Sequence, residues 1–424
     1  MTVNAREVDL SDIEFWARPP HERSAAFRAL RQELVLPYYA EPDMELDWIQ
    51  AGPGYWAVLR HADIEEVSRQ PEVFSSAAGA TNIFDLPPEF LEYFGSMINM
   101  DAPRHLRLRR IVARAFSPRT VARIEQDIAT VTRGVVDDLV AHGPGDFVTE
   151  VAARVPLEVI CRMMGIPEER YADVFRNSNV ILGAQDPEYV AEGADIASAL
   201  LGAGAELADL LAGLAGQRRE APADDVVTAL ATAEVDGERL TDAEIGSFFI
   251  LLVVAGNETT RNAISHGMVA LTEHPEQRAA WQAEYDRLAP TAVEELIRWA
   301  TPVTWMRRTA TRDAELAGKA IKAGDKLLLF YGSANRDETV FPEPDVFDLT
   351  RHPNPHLAFG GNGPHFCLGA HLARREITEV FRELFTRVPD IHTTDEPVRL
   401  RSSFINGIKH VPCTFTARET PFPT

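Results

Sequence analysis

Apolar and polar positions recur with a helical period through most of the middle of the chain. From Pro103 to about Leu288 the pattern reads mainly helical, with breaks at 142–145, 165–167 and 184–187. The longest helix is predicted from Thr241 to Glu273. Thr241 and Glu244 form a capping box at its start, and His274-Pro275 stops it. Residues 303–332 switch to strand character, with turns at Ala317-Gly318 and Ala323-Gly324. Upstream, 19–69 mixes helical stretches with short strand-like ones such as Tyr55-Trp56-Ala57-Val58-Leu59. Residues 79–100 read as a loop rich in Gly, Pro and aromatics. Residues 335–366 are irregular and carry five prolines, Pro342 to Pro364; so long an irregular stretch in a compact protein points to function. Helix resumes near Cys367 and runs to about Val388, and 398–415 reads as a hairpin around Asn406-Gly407. The strand–helix alternation of a parallel α/β fold is missing. The predicted fold class is mainly α: a helical body with small β-sheets, forming one domain over residues 1–424.

Charge and cysteine usage narrow the function classes. A formal net charge of -22 argues against nucleic acid as a partner, which needs a basic footprint. The longest strongly apolar run, Phe248 to Ala255, is well short of a bilayer-spanning stretch, so no membrane span is expected. The acidic N-terminal stretch lacks the apolar core of a secretory signal. Cys161, Cys367 and Cys413 form no CxxC pair, which argues against a disulfide framework or a zinc cage and fits a reducing cytoplasm.

One cysteine has unusual surroundings. Cys367 ends the run Phe359-Gly-Gly-Asn-Gly-Pro-His-Phe-Cys367 and precedes an amphipathic helix. Glycines let backbone approach a flat ligand, and a helix N-terminus favours thiolate over thiol. Cys161 and Cys413 have apolar neighbours and read as inert core residues. In the long helix, Leu251, Ala255 and Thr259 share one face, and Gly256 costs about 1 kcal/mol there relative to alanine, which suggests ligand approach or a local opening. Glu258 and Thr259 form an acid–alcohol pair able to handle protons in a water-poor pocket.

The Cys367 segment resembles the haem-binding signature of the cytochrome P450 family, and Ala255-Gly-Asn-Glu-Thr-Thr260 resembles its oxygen-binding motif. The aromatic usually found closer to the cysteine is here Phe359, one residue further upstream, with Gly360 in its slot. That longer loop resembles the bacterial branch acting on sterol side chains and methyl-branched lipids. The resemblance implies haem b with Cys367 as the iron ligand, and a thiolate ligand favours O–O cleavage. It implies His105, Arg109, Arg308 and His365 as partners of the haem carboxylates, with Arg307 the competing neighbour. Glu295 and Arg298 resemble the family's ExxR pair, with Arg351 as third partner; this triad reads as structural.

Further segments carrying the branch resemblance are Phe94 to Ile98, Asn179 to Gly183, Ser247 to Thr260 and Phe404 to Lys409. A candidate distal wall is apolar: Ile98, Leu182, Leu251, Val254, Ala255, Val303 and Phe404. The expected activity is O2-dependent hydroxylation of an apolar branched lipid or terpenoid at a terminal carbon, with 79–100 and 170–195 as lids. The chain contains no GxGxxG dinucleotide fingerprint. Electrons are therefore expected from an acidic ferredoxin with its reductase, docking on Arg104, Arg107, Arg110, Arg114, Arg374 and Arg375. Three other readings stay open: a sterol side-chain hydroxylase, a peroxygenase on the same fold, and a non-enzymatic haem sensor or carrier.

Overall fold

The computed structural model describes residues 3–42, 52–115, 118–235 and 237–416. The chain opens with α1 (Ile13–Ala17), capped by the Asp12 carboxylate, and α2 (Pro20–Glu33), which starts on a proline. Then come β1 (Tyr38–Tyr39), β2 (Tyr55–Val58), α3 (His61–Ser68), β3 (Phe74–Ser75) and α4 (Pro88–Gly95). The helical body follows with α5 (Arg104–Ala115), α6 (Pro118–His142), α7 (Arg154–Met164), α8 (Tyr171–Leu182), α9 (Ile196–Glu220) and α10 (Val226–Thr232). A small hairpin, β4 (Glu234–Val235) and β5 (Glu238–Arg239), leads into α11 (Asp242–Glu273), α12 (Pro275–Ala283) and α13 (Tyr285–Ala300). The chain closes with β6 (Trp305–Ala310), β7 (Ala314–Leu316), β8 (Lys319–Ile321), β9 (Lys326–Phe330), α14 (Tyr331–Ala334), α15 (Ala370–Arg387) and four short strands. These are β10 (His392–Thr393), β11 (Val398–Arg399), β12 (Ile408–His410) and β13 (Cys413–Thr414).

The helix α11 organises the body. Both halves of the predicted capping box form: Glu244 donates its amide to the Thr241 hydroxyl (3.1 Å), and the Thr241 amide donates to the Glu244 carboxylate (2.9 Å). Beyond its first turn α11 is largely buried, packed against α4, α7, α8, α9, α13 and α15. An apolar helix covered on most sides is stabilised by burial rather than by propensity. Beside the body lies one five-stranded sheet in the order β1-β2-β9-β6-β3, in which only β2 and β9 run parallel. Its register, Tyr55 opposite Lys326 and Trp305 opposite Phe330, seals a second core around Phe15, Trp16, Phe27 and Phe330.

Three expectations need correction. Residues 79–100 are not all loop: Pro87-Pro88 starts α4, and 96–99 continue as a 3-10 turn. Proline is a breaker inside a helix and a good first residue. The Asn406-Gly407 pair is not a two-residue turn. Strands β11 and β12 do pair, but 400–407 forms a wider loop closed by Leu400 N–H to Gly407 O (3.0 Å). A Cβ on Gly407 would lie 2.7 Å from that of Leu400, so the glycine serves close packing. Finally, α9 is long and apolar enough, by length and composition, to cross a bilayer. Its Ala, Gly and Leu content is interrupted by Glu206 and Asp209, so no long apolar run betrays it. In the fold α9 packs against α8, α10 and α11 and buries Leu207, Leu211 and Leu214.

Candidate active site

The segment before Cys367 is held by its own backbone. The Cys367 amide donates to Phe359 O (3.0 Å), and Gly360 turns the chain at φ +87°. Gly361 and Gly363 approach α3: added Cβ atoms would meet the Ser68 hydroxyl oxygen at 2.4 Å and its carbonyl oxygen at 2.1 Å. At these two positions the glycines seat the loop on α3. The Phe359 ring lies under the Arg374 guanidinium, 4.4 Å from its centroid. Burial pushes the Cys367 thiol up, while the amides of Gly369 and Ala370 and the charges of Arg109 and Arg374 pull it down. Burial is the largest of these, so the net direction is up; the two amides and two arginines are the groups that would favour the anion once a metal ion takes the sulfur.

Beside it stand two histidines and two arginines without an ion-paired carboxylate among the described residues. The His105 and His365 rings lie 4.1 Å apart. His105 is 1% exposed, and its Nε2 has no hydrogen-bond partner. Arg308 is buried, and its guanidinium donates to Arg307 O (2.7 Å); no carboxylate pairs with it among the described residues. Arg109 donates to Phe366 O (2.7 Å). Burial, then Arg308, His105 and Arg109, depress His365 to about 2, and burial with Arg109 lowers His105. Both rings are thus neutral hydrogen-bonding groups, Arg308 is the buried charge, and a buried charge without an ion partner calls for an anion. A thiol, two histidines and two arginines, flanked by exposed Phe366 and Leu368, would fit an iron porphyrin carrying two carboxylates. The neighbouring arginine is resolved as well. Arg307 is spent on the 83–85 segment, donating to the carbonyls of Ile83 and Phe84 (both 3.1 Å) and to Asp85 (2.6 Å).

The predicted triad is assembled. Glu295 and Arg298, both 0% exposed, form a two-pronged pair at 2.7 Å, with Arg351 3.2 Å away. Arg298 also donates to Asn335 O (2.8 Å) and Pro344 O (3.0 Å), and Arg351 to Pro342 O (2.8 Å) and Val346 O (2.9 Å). The triad thus ties down the irregular chain leading to the cysteine.

On the other side lies a cavity of about 720 Å³. All seven expected wall residues line it: Ile98, Leu182, Leu251, Val254, Ala255, Val303 and Phe404, together with Thr259. Ile83, Phe84, Phe90, Leu91 and Phe94, from the 79–100 segment expected beside the pocket, also line it but were not singled out as wall residues, and Trp305 was not anticipated. The Thr259 hydroxyl donates to Ala255 O (2.6 Å), which leaves its lone pairs to face the cavity. Glu258 faces the other way. It is 2% exposed, ion-paired with Arg261, and accepts from Asn262 Nδ2 (2.9 Å). The expected acid–alcohol pair is therefore split across two helix faces in this geometry. Gly256 abuts Ile160 of α7, whose Cδ1 would be 2.7 Å from an added Cβ, so the glycine serves close helix packing.

The expected basic docking patch is mostly neutralised. Arg104 pairs with Glu92, Arg107 with Glu238 and Glu244, Arg374 with Glu294, and Arg375 with Glu125. The Arg114 side chain lies outside the described residues.

The cytochrome P450 family model matches residues 206–388. A methyl-branched lipid omega-hydroxylase of Mycobacterium tuberculosis is 49% identical over 98% of this chain and 96% of its own length. A steroid C26-monooxygenase of Mycobacterium bovis is 43% identical over 86% of this chain and 83% of its own. A solved Mycobacterium marinum cytochrome P450 in complex with pseudoionone superposes with a TM-score of 0.90 at 45% identity, covering 96% of this chain and 98% of that one. The thiol-bearing loop, the two histidines and two arginines beside it and the apolar cavity beside Thr259 thus occur in a chain that belongs to the cytochrome P450 family of haem b-dependent, thiolate-ligated monooxygenases.

Proposed function

We propose that this enzyme hydroxylates a methyl-branched lipid or isoprenoid at a terminal carbon. The observation that carries the reading is the cavity: about 720 Å³, walled by aliphatic and aromatic side chains from α4, α8, α11 and the 400–407 loop. Such a wall binds by excluded apolar area, at roughly 25 cal/mol per Å², and discriminates by shape. The name printed for the relative at 49% identity supports the same substrate class.

A haem held by Cys367 supplies dioxygen activation, and the thiolate favours O–O cleavage. The chain's own residues do the rest. His105, Arg109, Arg308 and His365 hold the two haem carboxylates. Thr259 presents its hydroxyl to the cavity and passes protons inward. Glu258 recharges that hydroxyl after leaving Arg261, a movement across the helix surface that the split geometry requires. Terminal C–H bonds are the harder ones to break, so the cavity must restrict which carbon reaches the reacting centre. The bulky rings of Phe90, Phe94 and Phe404 narrow it to a chain end. Electrons come from an acidic ferredoxin with its reductase in the cytoplasm, met by Arg375, which stays 45% exposed despite Glu125.

Turnover of phytanic acid and farnesol with a ferredoxin, its reductase and O2 tests the reading. Terminal alcohols are expected; mid-chain alcohols alone would refute the restricted cavity. Tighter binding of a sterol than of either lipid would favour the steroid reading suggested by the relative at 43% identity. Turnover with peroxide alone, and none with the ferredoxin system, would favour a peroxygenase.

A further inference from the structure

Resting on the branched-lipid reading, we infer that the mouth of the cavity selects lipids with a free carboxylate, which Arg401 binds in exchange for Glu14. Among the described residues lining the cavity, Arg401 is the only cation and Asp12 the only acid. The Asp12 carboxylate is already committed to capping α1, where it accepts from the Glu14 amide (2.9 Å). Arg401 is not committed in this way. Its side chain is 49% exposed, and its ion partner is Glu14 at 2.7 Å, itself 68% exposed. A pair this open is screened by water and holds its partners weakly. A substrate carboxylate can displace Glu14 at little cost and gain a two-pronged contact with the guanidinium fork.

The backbone beneath the guanidinium is fixed. The Arg401 amide donates to Asp186 Oδ2 (3.3 Å), and Asp186 is in turn held by Lys409 Nζ (2.9 Å). At the next residue, the Ser402 hydroxyl accepts from the amides of Phe404 (3.2 Å) and Ile405 (3.1 Å). One braced turn therefore carries the cation at the rim and the Phe404 ring in the cavity wall.

An apolar wall alone cannot set the depth of a chain, because sliding by one methylene changes the buried area little. A charge at the rim supplies the missing register: head on Arg401, tail at Thr259. On a protein of net charge -22 it also gives an anionic lipid a local point of attraction.

Substrate-induced spectral shifts of the ferric holoenzyme give Kd for phytanic acid and for its methyl ester. The wild type should prefer the acid. Arg401→Gln should weaken acid binding about tenfold and collapse the acid-to-ester preference, while Arg401→Lys should retain most of it. Glu14→Gln, which removes the competitor, should tighten the acid severalfold. Equal haem content and unfolding midpoints exclude misfolding as the cause. A wild type indifferent to the head group, or acid and ester weakened alike by Arg401→Gln, overturns the inference. A wild type that binds neither lipid is a different outcome: it removes the branched-lipid reading and this inference with it.

Discussion

Replacing Gly256 by alanine separates two accounts of the glycine in the long helix. If it spaces α11 from α7, the added methyl collides with Ile160 Cδ1, 2.7 Å away, a position 2% exposed. Overpacking of this kind costs about 1–3 kcal/mol, and alanine returns about 1 kcal/mol of helix propensity. The net expectation is roughly 0–2 kcal/mol of destabilisation. Ile160→Val removes the colliding carbon and alone costs about 0.5–1.5 kcal/mol. In the double variant the collision is gone and the helix gain remains, so its loss should be under about 0.5 kcal/mol. The cycle thus predicts a favourable coupling equal to the overpacking cost, about 1–3 kcal/mol. In a chain of 424 residues the melting temperature moves only about 1 °C per kcal/mol, so urea unfolding of the ferric holoenzyme, followed by haem absorbance and circular dichroism, is the better assay. If Gly256→Ala lowers substrate or haem affinity while leaving unfolding unchanged, and Ile160→Val gives no rescue, the packing account is refuted.

Two further predictions follow from buried charge. Arg298→Leu removes the two-pronged partner of the buried Glu295 carboxylate and leaves it the longer Arg351 contact and the neutral donors Asp348 N–H and Asn354 Nδ2, so about 3–5 kcal/mol of stability and much of the haem content should be lost; normal haem loading in the purified variant would count against the triad's anchoring role. Glu376, buried in α15 with one carboxyl oxygen lacking a partner, is pushed up to about 8 by burial, against a hydrogen bond from Thr260 that lowers it. Its neutral form is favoured in the fold, so this contribution is full below about pH 4.5 and is lost as pH rises through about 8. Glu376→Gln should therefore gain on the wild type by a few kcal/mol between pH 5 and 8, and parallel pH–stability curves would contradict this.

Features written in local pattern were legible in the sequence. The capping box at Thr241 and Glu244, the loop ending at Cys367 and the Glu295–Arg298 spacing depend on residues a few positions apart. The seven wall residues were legible because the family resemblance and the apolar pattern agree. Long-range partners were not. Nothing near Gly256 announces Ile160, 96 positions away on α7, and nothing near Gly361 and Gly363 announces Ser68. Glu258 read as a free acid because Arg261 is one of several polar neighbours, and only the fold shows the pair buried at 3% side-chain exposure each. Arginines counted as a docking patch were mostly matched by acids from other elements, such as Glu238 and Glu244 for Arg107. The helix α4 was hidden by prolines that mark its beginning.

The account depends most on the sulfur at position 367. The carbon monoxide difference spectrum of the reduced protein tests it directly, with the wild type beside Cys367→His. The wild type should show the long-wavelength band of a thiolate-ligated haem, and the variant should retain haem through its carboxylate anchors while that band moves to the position of an imidazole-ligated haem. An unchanged band in the variant would contradict the assignment.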